Sequence, residues 1–192
     1  MTNILPITDE KITLPLKQFM LLKSCPPDWR VMDLYLFRDE TVVFYVGQSY
    51  SAYERLWEHL RDGFKGRSII GRFILCNWPV SLKFHIELMS SQAICFATVD
   101  NDLNAAERHL IMQLSPCFND MLNNRPTPLP NHYAPPNTRP LCSRSLNKLI
   151  HEAERAVRAD ERRLWLRNKA EHVQEPGEND NEKIETSSTD DC

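Results

Sequence analysis

The sequence predicts a small α/β domain of the α+β kind, a three-stranded antiparallel sheet flanked by helices, followed by a C-terminal helix. Three observations predict it. Two short runs of β-formers, each with one tyrosine, flank the polar Arg38-Asp39-Glu40 and read as a hairpin over 33–47. A third run near Leu82 to Leu88 alternates Leu82, Phe84, Ile86 and Leu88 with Lys83, His85 and Glu87. Apolar residues recur at helical spacing over 51–64, 67–76 and 102–114.

Residues 1–30 hold one apolar run, Leu14 to Leu22, ended by Pro26-Pro27, and read as an extension packed on the core. In the hairpin Tyr35 and Tyr45 fall on neighbouring strands, and Gly47 ends the second strand where a close backbone approach is needed. The helix from Ser51 buries Tyr53, Leu56, Trp57 and Leu60, with Ser49 or Ser51 as its cap. Arg55 and His59, four apart, leave the shoulder of that face in one direction. Ile69-Ile70 and Phe73-Ile74-Leu75 keep helical spacing around Gly71-Arg72. His85 and Glu87 read as the wet side of their strand and are left out of any site.

In the next helix Leu103, Leu110, Ile111 and Leu114 form an apolar stripe with Glu107 in its middle. A carboxylate among apolar neighbours calls for a partner or a metal. Asn104-Ala-Ala-Glu107 also fits a capping box, in which Glu107 reaches back to the Asn104 amide. Both readings stay open. Pro116 stops the helix, and Asn119 follows in Pro-Cys-Phe-Asn.

At 192 residues the chain holds one domain with appendages: the core at 31–123, a linker at 124–142 with six prolines, a basic amphipathic helix at 143–173 and an acidic disordered tail at 174–192. No secretory signal is visible, and no apolar run nears the ~18 residues of a membrane span. The six cysteines are scattered, which argues against structural zinc and a disulfide framework and predicts reduced thiols in a cytoplasmic protein. The net charge of −3 is unfavourable for binding nucleic acid, but it is segregated. Residues 175–192 carry seven acids and one lysine, which leaves 22 basic against 19 acidic residues elsewhere. On the basic helix Lys148, His151, Arg155, Arg158 and Arg162 lie opposite Leu146, Ile150, Ala153, Val157 and Leu164. That stripe reads as a solvated face or as an arm tracking a nucleic-acid backbone.

Taken in order, these elements resemble the GIY-YIG endonuclease family over about residues 31 to 123, under half of the chain. Tyr35 stands at the first-motif tyrosine, Tyr45-Val46-Gly47 at the second motif, Arg55 and His59 at the helical arginine and histidine, Glu107 at the metal-binding glutamate and Asn119 at the asparagine. Asp33-Leu34 replaces the Gly-Ile of the first motif, and Gln48 stands where some members carry a lysine. The resemblance implies a GIY-YIG nuclease-like fold and a metal-dependent endonuclease hydrolysing phosphodiester bonds in DNA. The alternative is a catalytically silent nucleic-acid-binding module of the same fold. DNA is the expected partner, with RNA left open and no membrane; the oligomeric state stays open, a dimer included. Zinc, helix-hairpin-helix and long DNA-reading modules are not evident, so a small stand-alone or partner-dependent nuclease is expected.

One carboxylate implies one metal, Mg2+ or Mn2+ held by Glu107, which would keep most of its waters. Arg55 would stabilise phosphorane-like charge. Either Tyr35 or Tyr45 would serve as general base, which requires lowering a phenol whose ordinary pKa is ~10. His59 would relay a proton or hold Tyr35, and Asn119 would orient Glu107 or the phosphate.

Overall fold

The computed structural model describes residues 11–138 and 145–173; residues 1–10, the end of the expected linker, the first residues expected in the basic helix and the acidic tail lie outside them. The fold is mixed α+β, built on a four-stranded antiparallel sheet. Its strands are β1 (Ile12–Pro15), β2 (Leu34–Arg38), β3 (Val43–Gln48) and β4 (His85–Met89), in the order β1-β4-β2-β3. Three strands were expected. The fourth comes from the N-terminal apolar run, which divides at Pro15 into β1 and a short helix α1 (Leu16–Phe19). β1 pairs with β4 from Ile12↔Leu88 to Pro15↔His85.

The hairpin forms as its sequence predicts, with Tyr35 opposite Gly47 and Phe37 opposite Tyr45. Its turn is held by Asp39, whose carboxylate accepts the Thr41 and Val42 amides at 2.7 Å each. Because side chains alternate along a strand, Tyr35 and Phe37 enter one core and Leu34 and Leu36 another. The first core is filled by α1, by α2 (Ala52–Phe64) and by α3 (Ile69–Cys76). The second is covered by Phe96 and by Ala106, Leu110 and Ile111 of α4 (Leu103–Leu114). Helices α2 and α3 touch at Gly63 and Gly71: a Cβ on Gly63 would fall 2.6 Å from the Gly71 carbonyl carbon, and one on Gly71 would overlap the His59 carbonyl oxygen. Two glycines thus bring the start of α3 against the last turns of α2.

β4 starts at His85, because Val80–Lys83 closes into a 3-10 turn that buries Leu82 ahead of the strand. Glu87 is not on a wet face. It is 4% exposed, with Lys11 Nζ at 2.7 Å and Arg38 Nη1 at 3.2 Å. The two cations supply what a buried carboxylate requires.

The proline-rich stretch, expected as a linker, is bound to the core over its described part. Asn77 exchanges two hydrogen bonds with Ala134 at 2.8 Å, Tyr133 donates to Asp39 at 2.8 Å, and Arg72 reaches the Pro136 and Thr138 carbonyls. Helix α5 (Leu146–Val173) buries Leu149 and Ala153, with Leu146, Ile150 and Ala156 half-buried beside them. Compact packing divides the chain after Val157. Beyond that point Leu164, expected on the apolar face, is exposed together with Trp165 and Leu166. Among the described residues no helix is long and apolar enough to cross a membrane.

Candidate active site

Tyr35 occupies the centre of the site. It is 1% exposed, and its hydroxyl lies 2.8 Å from His59 Nε2 on α2. His59 is buried as well, with its ring 5.6 Å from those of Tyr35 and Tyr45 and 6.4 Å from that of Phe37. The helical spacing that placed Arg55 and His59 on one shoulder holds, with a difference in depth: His59 enters the core and Arg55 stays at the rim. Arg55 pairs with Glu58 at 2.8 Å, close enough to Tyr35 for its charge to act on the phenol, and the Tyr35 and Tyr45 rings pack with centroids 6.3 Å apart.

Gly47 is required by this packing. A Cβ there would lie 2.5 Å from the Tyr35 hydroxyl oxygen and 2.9 Å from Tyr45 Cε1.

Electrostatics separates the two tyrosines. Burial pushes the Tyr35 phenol far above its ordinary range, and the neighbouring Tyr45 adds to this; the Arg55 hydrogen bond and charge oppose it. Tyr45 is also raised, by burial and then by Glu107, while Arg55 and the Tyr35 hydrogen bond pull it down. Unlike Tyr35, Tyr45 remains partly exposed. Burial, assisted by the Arg55 charge, lowers His59 to about 4, so the imidazole is neutral at physiological pH.

Glu107 joins the cluster from α4, 72 positions along the chain from Tyr35, and its charge is felt by both tyrosines. The capping-box reading does not hold. Asp102 caps α4 by accepting the Ala105 amide at 2.8 Å, and Asn104 Oδ1 instead accepts the Gln48 amide at 2.8 Å. Burial raises Glu107, opposed by a hydrogen bond from Gln48. The Gln48 side-chain oxygen is buried without a donor among the described residues.

Asn119 serves a different purpose from the expected one. Its side chain accepts the Val46 amide at 2.9 Å and donates to the Val46 carbonyl at 2.8 Å. It therefore holds the strand that carries Tyr45 and Gly47, and does not orient Glu107.

Among the described residues no three His, Cys, Asp or Glu side chains gather to hold a metal. Glu107, the carboxylate whose charge acts on both tyrosines, is the residue that would hold a cation. A half-buried carboxylate whose burial is opposed only by an amide suits one hard, largely hydrated divalent ion. Sequence reasoning missed Ser68, 2.8 Å from His59 Nδ1, and the role of Gln48 and Asn104 beside Glu107. Ser68 carries a local signal as the cap before Ile69-Ile70, but nothing local ties it to His59.

No protein-family model, curated protein or solved structure matches the chain.

Proposed function

We propose that the protein is an endonuclease hydrolysing phosphodiester bonds in DNA by a GIY-YIG-like single-metal mechanism, on a GIY-YIG-like variant of the α+β fold. One observation carries the reading: Tyr35, Tyr45 and His59 pack ring against ring, and the charges of Arg55 and Glu107, from two different helices, both act on the two phenols. A packing role alone does not require two phenols, a guanidinium and a half-buried carboxylate to influence one another.

In this reading Tyr45 is the general base. It is partly exposed, so water reaches it, whereas Tyr35 is sealed in the core. Tyr35, its ring packed 6.3 Å from that of Tyr45, supports the charge that forms there, because its hydroxyl favours the ionised Tyr45 phenol. Arg55, at the rim with an exposed guanidinium, binds the phosphate and balances its growing negative charge with a rigid fork of donors. Its pairing with Glu58 keeps that fork oriented before substrate arrives. Glu107 would hold Mg2+ or Mn2+, which when bound supplies charge neutralisation at the phosphate. The exposed Lys148, Arg155, Arg158 and Arg162 of α5 would add contacts to the nucleic-acid backbone. The four described cysteines are free thiols, which supports a cytoplasmic location.

The deciding experiment incubates supercoiled, linear and branched DNA with the full chain and Mg2+ or Mn2+, beside Glu107→Ala and Arg55→Ala. Nicking or linearisation by the wild type alone is expected. Equal cleavage by wild type and Glu107→Ala, or none by the wild type on any substrate, would defeat the proposal.

A further inference from the structure

Ser68 stands directly before α3, and its hydroxyl oxygen accepts the Gly71 amide at 3.0 Å. The same oxygen lies 2.8 Å from His59 Nδ1. A hydroxyl has one hydrogen to give and two lone pairs. With one lone pair taken by Gly71, the hydrogen has a single acceptor among the described residues, His59 Nδ1. In the opposite arrangement Nδ1 would carry a hydrogen, the Ser68 oxygen would accept two N–H groups, and its own hydrogen would be stranded. Ser68 is 7% exposed, so water is a poor substitute. Burying an unsatisfied donor is the costlier state.

We infer that Ser68 is a positioning residue that locks the neutral His59 ring in its Nε2–H form, so that the imidazole donates to the Tyr35 oxygen 2.8 Å away. The hydrogen bonds then run in one direction. Ser68 O–H points to Nδ1 and Nε2–H points to the Tyr35 oxygen, which leaves the Tyr35 O–H pointing away from the imidazole. His59 in this form cannot take the Tyr35 proton. It holds the Tyr35 hydroxyl from one side, with the Tyr45 ring packed beside it. That catalytic consequence rests on the nuclease reading; the assignment of the ring proton does not.

The test is the ring spectrum of His59 in the full-length protein, labelled with 15N-histidine, at neutral pH. Nε2 is expected at the position of a protonated ring nitrogen and Nδ1 at that of an unprotonated one. Ser68→Asp keeps an acceptor for the Gly71 amide but has no hydrogen to give, so Nδ1 should move to the protonated position. Ser68→Thr keeps both roles and should leave the spectrum in place. A protonated Nδ1 in the wild type overturns the inference, and so does an Nδ1 that stays unprotonated in Ser68→Asp. Should Ser68→Asp fail to fold, the wild-type and Ser68→Thr spectra still decide. A histidine in the wrong tautomer loses catalysis even with its geometry intact, so plasmid cleavage should fall at least about tenfold in Ser68→Asp and stay within about twofold in Ser68→Thr. Absence of cleavage in every form, with Nε2–H present, would defeat the nuclease reading and leave the Ser68 assignment standing.

Discussion

Gly47 faces Tyr35 across the β2–β3 pair so closely that a Cβ at position 47 would sit 2.6 Å from the tyrosine Cζ. The tyrosine is enclosed on its other sides by Phe37, Tyr45 and His59 and has no room to retreat. Gly47→Ala is expected to destabilise the protein by about 1–3 kcal/mol through overpacking. Urea unfolding measures it, and an unchanged midpoint would show that the aromatic cluster can yield.

The two tyrosines are expected to respond differently to loss of their hydroxyls. Tyr45→Phe should lower single-turnover cleavage about 10²–10⁴-fold, the range for a lost general base, with little change in stability. Tyr35→Phe should cost about 1–3 kcal/mol of stability in addition to rate, because it leaves buried His59 without its partner. A Tyr45→Phe protein with wild-type cleavage would transfer the base role elsewhere.

Acid should weaken the fold through His59. Its folded value of about 4 lies below the ordinary 6.5. Between those values the unfolded chain binds the additional proton, so stability rises with pH across the window. The contribution is complete above pH ~6.5 and is lost as pH falls toward about 4, amounting to about 3 kcal/mol at 1.36 kcal/mol per pH unit of separation. Arg55, Glu58 and Asp62 on α2 act on the same ring, with Tyr35, Tyr45 and Ser68 packed around it. Urea titrations from pH 7.5 to 4.5 should show a steeper decline for wild type than for His59→Gln.

Metal should be detectable without cleavage. An ion bound only by the folded protein stabilises it by mass action, by about 1.4 kcal/mol at ten times its Kd. Mg2+ should raise the Tm of the wild type and leave Glu107→Ala unmoved, and EDTA should reverse the rise. Equal shifts in both proteins would place the ion elsewhere.

Binding to duplex DNA should depend on salt through α5. Each phosphate contact adds about −0.9 to the slope of log K against log salt. Changing the exposed Arg155, Arg158 and Arg162 together to Gln should flatten that slope by roughly two to three while leaving cleavage at saturation nearly unchanged. An unaltered slope would make the stripe a solvated helix face.

Most of the framework was legible because it is local. Tyr35 and Tyr45 fall on paired strands through simple alternation, and Arg55 and His59 share a shoulder through helical periodicity. β1 was not legible. It is four residues long, merges into an apolar run, and pairs with a strand seventy or more positions away. Glu87 was misplaced for a related reason: alternation marks it as facing away from the first core, but the Lys11 and Arg38 side chains that cover it come from separate segments. Ser68 and Asn119 each reveal a local role in the sequence, while their partners His59 and Val46 are set by tertiary approach.

Asn119 also determines what can approach the rim of the sheet. β3 is the outermost strand on its side, and an exposed strand of this kind is a template for another chain. Several of its backbone groups are already taken: Cys117 and Phe118 amides occupy the Val43 and Phe44 carbonyls, and the Asn119 amide satisfies both backbone groups of Val46. From Val43 to Val46 an incoming extended peptide would have to displace these contacts before it could pair. The strand that carries Tyr45 is shielded by its own chain.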